Sequence, residues 1–357
     1  MAFTSATGHG NLPNGNFSSI IYSKKVQLAF RKKAICNDIT NSDYFGEIAA
    51  QGDTVKIIKE PEISVSSYAR GTQIAAQDLD DEDFSLTIDK ANYFAFKIDD
   101  IEEAHSHVNF MDLATNRAAY RLADQLDQEV LGYLSGYKQT NLHTNGNAVN
   151  DQVNGTVAVS TAGTDELLTS MKLIKGSFGN ITTTSAADHS IPVAARLPGA
   201  TALPTAYASP VMLINRMGRL LDQQNVDKDG RWVVVDPVLM EILQDEDSRF
   251  LSADFGDSGA LRNGLVMSKW NGFRVYVSNN LPSVGGGAGT TGTTNQNTDY
   301  GVIVAGHDSA TATAEQINKT ETYRDPDSFA DIVRGMHLYG RKILRPEALV
   351  TAKYNLA

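Results

Sequence analysis

The sequence predicts an α+β fold, and three observations carry that prediction. From Asn109 to Tyr137 apolar residues recur in steps of three and four: Met111, Ala114, Ala118, Leu122, Leu126, Val130 and Leu134. Runs of period two flank this stretch, at Val55–Ile57, Phe84–Ile88 and Tyr93–Ile98 before it and at Val333–Leu344 and Ala348–Tyr354 after it. Two of the early runs are joined by a long polar excursion with few large apolar residues, so it has little core of its own.

Composition narrows the class. With 357 residues there is room for two packed regions of ordinary domain size. Hydrophobic content is 41%, and no run of about 18 apolar residues marks a membrane span. Residues 1–17 lack the basic-then-apolar layout of a signal peptide. Cys36 is the single cysteine, which rules out an internal disulfide and leads us to expect an intracellular setting.

Charge is unevenly placed. The net value is −11, yet residues 1–37 hold no acid and five bases, Lys24, Lys25, Arg31, Lys32 and Lys33. The remainder carries 26 bases against 42 acids, a net of −16. Such an arm is either solvated or laid on an acidic surface, its own or a neighbour's. An acidic body argues against extended binding to a nucleic-acid backbone, which needs clustered Lys and Arg.

In chain order, residues 1–18 read as a polar lead. Helical spacing over Ser19–Cys36 (Ile20, Ile21, Val26, Leu28, Phe30, Cys36) predicts a helix broken up by the five bases. Asn41–Gly46 is a turn cluster. Strand character begins at Val55 and Ile57, breaks at Lys59-Glu60-Pro61, and resumes at Ile63 and Val65 and again at Phe84, Leu86 and Ile88. Arg70-Gly71 and the acidic stretch Asp78, Asp80, Asp81, Glu82 and Asp83 lie between, which predicts an extended ribbon with an acidic tip. A two-stranded ribbon is marginal in water, so it needs a packing partner. Asp89–Asn92 is expected to turn the chain into Tyr93–Ile98, with Phe94, Phe96 and Ile98 on one face.

The long helix follows. Asn109 is its expected N-cap and Asp112 lies in its first turn, where a carboxylate meets the positive helix end. Arg117, Arg121, Asp124, Asp127 and Glu129 lie off the apolar stripe and are expected to face solvent or another copy, while the stripe packs on the C-terminal β segments. At 1.5 Å per residue the helix is about 40 Å long.

Beyond it, Lys138–Asn154 reads as a polar loop. Thr164-Asp165-Glu166 is expected to cap a helix carrying Leu167, Leu168, Met171 and Ile174. Residues 180–209 read as an insertion or surface loop. Met212, Leu213, Met217, Leu220 and Leu221 mark a helix, Asp227–Gly230 a turn, and Trp232–Val235 a buried strand. Asp236-Pro237 then starts a helix through Leu243. Asn271-Gly272 turns into the strand Phe273–Ser278, residues 283–299 form a Gly/Thr/Asn loop, and Val302–Ala305 is a strand. Asp308 is expected to cap a short Ala/Thr helix before the last two strands, which Arg345-Pro346 separates.

No motif carries chemistry. Gly287-Ala-Gly-Thr-Thr-Gly292 matches the dinucleotide pattern, but Thr293–Asn297 is no helix start and offers no amides to a pyrophosphate. The P-loop and nucleophile-elbow patterns are missing. His105 and His107 are two apart, not the i, i+4 pair of a zinc helix. Counting from Asp78, Asp83 stands where a calcium loop needs glycine. No catalytic residue, cofactor or metal is therefore expected. Paired carboxylates need not be neighbours in a chain, so a soluble hydrolase is the reading from a different class.

The ordered set of segments is more informative than any one of them. Asn41-Ser-Asp-Tyr-Phe-Gly-Glu-Ile48, Gly52-Asp-Thr-Val-Lys-Ile57, Gln77-Asp-Leu79, Phe84-Ser-Leu-Thr-Ile-Asp89 and Tyr93-Phe-Ala-Phe96 come first. Gly230-Arg-Trp-Val-Val-Val-Asp-Pro237, Gly272-Phe-Arg-Val-Tyr-Val-Ser-Asn-Asn-Leu-Pro282, Gly335-Met-His-Leu-Tyr-Gly340 and Leu344-Arg-Pro-Glu347 follow. From about Ser19 to Leu356 this order resembles the major capsid proteins of tailed bacteriophages with the Hong Kong 97-type fold.

The resemblance implies a non-enzymatic structural protein. It would assemble through pentamers and hexamers into an icosahedral head around double-stranded DNA; an encapsulin-type nanocompartment shell is the alternative. By position, residues 1–39 correspond to an N-arm, 40–52 to a connector and 53–92 to the extended β-hairpin called the E-loop. Residues 93–156 correspond to a peripheral domain with its spine helix at 109–137, and 157–300 to an axial domain with surface loops at 180–209 and 283–299. Residues 301–357 make the return to the peripheral domain and its β segments. Contacts between subunits are expected at Lys24, Lys25, Arg31, Lys32, Lys33, Arg70, Asp78, Asp80, Asp81, Glu82 and Asp83. The expected partners are other copies, a portal, packaged DNA held weakly and non-specifically, and a decoration protein where one exists. A separate scaffolding protein is expected as well, because no long charged helical region precedes the arm. No membrane is involved, and no Lys–Asn cross-link maps onto this sequence. The expected location is the virion, after assembly in the bacterial cytoplasm.

Overall fold

The computed structural model describes residues 34–43, 54–58, 63–71, 73, 76, 83–101, 110–139, 157–159, 167–178, 190–193, 208–243, 269–270, 272–282 and 300–356. Of the helix expected over Ser19–Cys36, residues 19–33 lie outside them, Ala34 and Ile35 are not helical, and a four-residue helix begins only at Cys36. The caps at Asn109 and Thr164, the glycine loop at 283–299 and both His105 and His107 also lie outside the described residues.

The long helix forms as its spacing predicts. It runs Phe110–Ser135 (here α2, after the short α1, Cys36–Ile39) and ends at Gly136, whose φ of +66° suits glycine. Its second half is buried at Leu126, Val130, Leu131 and Leu134. The expectation that its charged residues face outward holds for Arg117 and Arg121 but fails for three acids. Asp124 and Asp127 are buried and Glu129 is half-buried, because α2 is covered on several sides at this end.

A seven-stranded mixed sheet sits beneath this half of the helix. Its strands are β6 (Lys172–Leu173), β7 (Ser190–Val193), β8 (Arg231–Val235), β9 (Lys269–Trp270), β10 (Phe273–Val277), β11 (Tyr300–His307) and β14 (Leu349–Leu356). The order is β6-β14-β11-β8-β10-β9, with β7 also paired to β14. β8 explains its unbroken apolar run. Val233 and Val235 pack on α3 (Pro210–Gln223) and α4 (Pro237–Leu243), whereas Trp232 and Val234 pack with α1 and α2. A strand covered on both faces has no polar side to show.

An antiparallel sheet of three strands, order β12-β13-β3, completes the frame. β3 is Lys90–Asp99, β12 Thr311–Arg324 and β13 Ala330–Ile343. Gly335 and Gly340 of the quoted motif serve close approaches here. A Cβ at Gly335 would lie 2.4 Å from the Phe94 ring, and one at Gly340 would lie 2.4 Å from the Thr87 carbonyl oxygen. The second contact is where the ribbon crosses β13.

The ribbon consists of β1 (Thr54–Ile58) paired antiparallel with β2 (Asp83–Thr87). Its base does have an anchor within the chain: Leu86 and Ile88 are buried against Ala312 and Ala314 of β12. The strand expected at Ile63–Ser66 is not formed; those residues lie outside any ladder and are exposed.

Five further expectations need correction. Leu167–Ile174 is not helical: two 3₁₀ turns flank β6, which pairs with β14, and Met171 and Leu173 point inward at period two. The Ala/Thr stretch after Asp308 is the start of β12, and His307 caps the intervening 3₁₀ turn. The span 180–209 contains β7, and the polar loop after Tyr137 is entered and left through a pair, β4 (Tyr137–Gln139) with β5 (Val157–Val159). The turn at Asp89–Asn92 is shorter, since β3 already begins at Lys90. In each case a partner strand elsewhere in the chain overrides a local pattern.

Candidate inter-subunit surfaces

Of the residues expected to touch neighbouring copies, Lys24, Lys25, Arg31, Lys32, Lys33, Asp78, Asp80, Asp81 and Glu82 lie outside the described residues. Arg70 is exposed in a turn closed by Gly71 at φ +92°. Asp83 opens β2 opposite Ile58. The expected contact between arm and ribbon tip therefore falls outside the described residues.

What the described residues do display is exposed apolar surface. Ile63, Val65 and Tyr68 are 70%, 97% and 65% exposed, on a segment where every described residue from Ile63 to Gly71 faces solvent.

A second surface lies on the face of the three-stranded sheet away from α2. Tyr93, Tyr323 and Met336 border a shallow groove of about 460 Å³. Arg334 stacks over the Tyr323 ring at 4.9 Å and pairs with Glu321 at 2.9 Å, and Lys319 pairs with the same carboxylate. Those two cations, Lys319 foremost, hold Glu321 below the usual carboxylate range.

The turn joining β12 to β13 is braced for display. Lys97 Nζ and Ser328 Oγ each donate to Asp325 Oδ2 at 2.6 Å, and Arg324 grips Asp100 with both terminal nitrogens. The Lys97 contact, then Ser328, draws the Asp325 carboxyl down to about 2. On this frame Phe329 and Ile101 stand 79% and 65% exposed.

The sequence places the acids of α2 on its outer side, and the partners that Asp127 and Glu129 find inside the protein were not expected from it. Asp127 accepts hydrogen bonds from the Ile35 and Cys36 amides, both at 2.8 Å, and from Asn280 Nδ2 at 2.7 Å. Burial nonetheless pushes its carboxyl upward. Burial, with Asp127 nearby, pushes the Cys36 thiol up to about 12. Glu129 accepts from the Tyr339 hydroxyl and from Arg341. One signal pointed this way: Leu131 and Tyr133 lie off the main stripe, so the apolar surface widens towards the end of the helix.

Among the described residues, no group of three His, Cys, Asp or Glu is placed to hold a metal, and no helix is long and apolar enough to cross a membrane.

Comparison with known proteins agrees with this architecture. A family model described as phage capsid protein matches residues 59–352. A solved structure from Mycobacterium phage Che8 is 26% identical with a TM-score of 0.66, over 96% of this chain and 98% of that one. The capsid structure of the cyanophage P-SCSP1u gives 19% and 0.61, over 100% and 99% of the two chains. The capsid of cyanophage Pam1 gives 13% and 0.64, over 98% and 99%. No curated protein matches the sequence significantly. The fold is of the Hong Kong 97 type, and the chain belongs to the phage capsid protein family.

Proposed function

We propose that this major capsid protein builds its icosahedral head through pentamers and hexamers closed around double-stranded DNA, with no enzymatic activity of its own. The observation that carries the reading is the ribbon. Its base is anchored on β12, while Ile63, Val65 and Tyr68 beyond it stand exposed and outside the cores of the described residues. A neighbouring copy supplies that core in a shell. An encapsulin-type shell is not favoured, because the family and the similar structures are those of phage capsids.

Within the head, residues 1–39 act as the arm, 40–52 as the connector and 53–92 as the E-loop. Residues 93–156 build the peripheral domain around α2, and 157–300 build the axial domain around the seven-stranded sheet, with the loop 283–299 on its surface. The stretch 301–357 serves both, since β12 and β13 lie in the sheet of β3 whereas β11 and β14 lie in the sheet of β8. The five arm bases meet the acidic ribbon tip of another copy, and Arg70 and Asp83 lie at the same seam. A portal, a scaffolding protein, the genome and a decoration protein are the further partners of such a head, assembled in the bacterial cytoplasm.

The test is direct. Purified protein under assembly-favouring conditions should sediment as capsomers and shells and show closed particles by electron microscopy. Discrete monomers of 38.6 kDa would refute the reading.

A further inference from the structure

Asp127 is fully buried in the second half of α2, and its two oxygens serve different parts of the chain. Oδ1 accepts from the amides of Ile35 and Cys36, the residues that open α1. The N-cap position of α1 supplies no side-chain acceptor. A carboxylate from α2 thus takes two of the amides at the start of α1 that have no partner within the helix itself. Oδ2 accepts from Asn280, in the turn that follows β10 of the seven-stranded sheet. Three N–H donors hold this charge.

The far end of α1 is fastened too. Thr40 Oγ1 lies 2.9 Å from Thr313 Oγ1, the Asn41 amide donates to Thr311 O at 2.8 Å, and the Thr313 amide donates to Asn41 O at 3.1 Å. The segment 35–41 is therefore pinned at both ends. At the Asp127 end one side chain links it simultaneously to α2 and, through Asn280, to the turn after β10 of the large sheet.

We infer that Asp127 and Asn280 are positioning residues for shell assembly, fixing where residues 1–33 join the body and tying that point to the seven-stranded sheet. A tethered segment reaches its target with an effective concentration set by the position of its root. Releasing the root dilutes every contact that the arm makes. The inference rests on the capsid assignment and is independent of which surface the arm contacts.

Trypsin reads the root directly. Cleavage after Lys33 requires the next residues to open, and Ile35 and Cys36 are buried. Cleavage after Lys24 and Lys25 provides an internal reference. In unassembled protein, Asp127→Ala should raise the ratio of Lys33 cleavage to reference about tenfold, the size of a lost cap. The same variant should lower the yield of closed shells.

The reciprocal pair Asp127→Asn with Asn280→Asp keeps an acceptor for both amides and reverses the third bond. It should restore both readouts. Asn280→Asp alone sets two carboxylates against each other and should impair both. An unchanged cleavage ratio in Asp127→Ala overturns the inference, as does a raised ratio with full shell yield. If Asp127→Ala fails to fold, the comparison moves to Asn280→Asp and the pair, and failure of the pair to improve on the single variant overturns it.

Discussion

Glu129 on the long helix and Arg341 on β13, 212 positions apart, meet at 2.9 Å. The Tyr339 hydroxyl donates to the same Oε2, and Arg341 lies 4.9 Å above the Tyr133 ring. This junction seals α2 to the three-stranded sheet. Removing Glu129 leaves a phenol and a guanidinium short of an acceptor, so Glu129→Ala should destabilise the unassembled protein by about 1–3 kcal/mol. Glu129→Gln, which keeps an oxygen, should cost less. Equal melting temperatures for wild type and Glu129→Ala would show that the seam is held elsewhere.

A pH dependence follows from Asp236. The Tyr354 hydroxyl and the Leu239 amide both donate to its Oδ1, yet burial raises the carboxyl above its ordinary value of 3.8. A raised folded-state value means that folding takes up a proton. The contribution to stability is then full below the unfolded value and is lost as pH rises through the folded one. Asp127 shifts the same way. Asp236→Asn keeps the oxygen for both donors, so it should gain on wild type as pH rises from about 4 towards neutrality. Urea melts at several pH values measure this, and a constant offset would contradict it.

Gly340 should tolerate no side chain. A Cβ there would meet the Thr87 carbonyl oxygen at 2.4 Å and the Ile88 Cα at 3.0 Å, both backbone atoms where the ribbon crosses β13. Gly340→Ala must displace the ribbon base and should cost about 1–3 kcal/mol. A thermal melt indistinguishable from wild type would mean that the crossing yields freely.

The exposed ribbon segment should matter for assembly and not for folding. Ile63→Ser with Val65→Ser removes two side chains that are 70% and 97% exposed, so monomer stability should change by less than about 0.5 kcal/mol. Shell yield should fall markedly. Full yield would show that the segment is not a contact.

Charge at the ribbon tip can be tested separately. Replacing Asp80, Asp81 and Glu82 by Lys should weaken assembly and leave the monomer folded, if the tip meets the basic arm of a neighbour. Because exposed ion pairs are screened, the wild-type contact should weaken with added salt. Unchanged yield and salt resistance would discard this contact.

Much of the fold was legible because local periodicity reflects burial. The stripe from Met111 to Leu134 became Phe110–Ser135, and the uninterrupted Trp232–Val235 run became a strand covered on both faces. Pro237 opened α4 where its fixed φ suits a first helical turn. The inter-subunit surface was less legible. The charges chosen from sequence fall mainly outside the described residues, whereas the displayed apolar residues Tyr93, Tyr323 and Phe329 carry no local mark of exposure.

The sequence by itself determined where α2 runs, which strands are buried, the turn at Gly230 and the family order of its segments. Those features depend on neighbours within a few residues, through helical or strand spacing and the φ freedom of glycine. Tertiary structure alone decided that Ala312 and Ala314 extend as a strand under Leu86, and that Met171 and Leu173 line up beside β14. It also decided that Asp127, which local pattern assigns to the outside, caps a helix 91 positions away in the chain. Backbone partners and buried donors distant in the chain supply those hydrogen bonds, and no local pattern encodes a partner that far away.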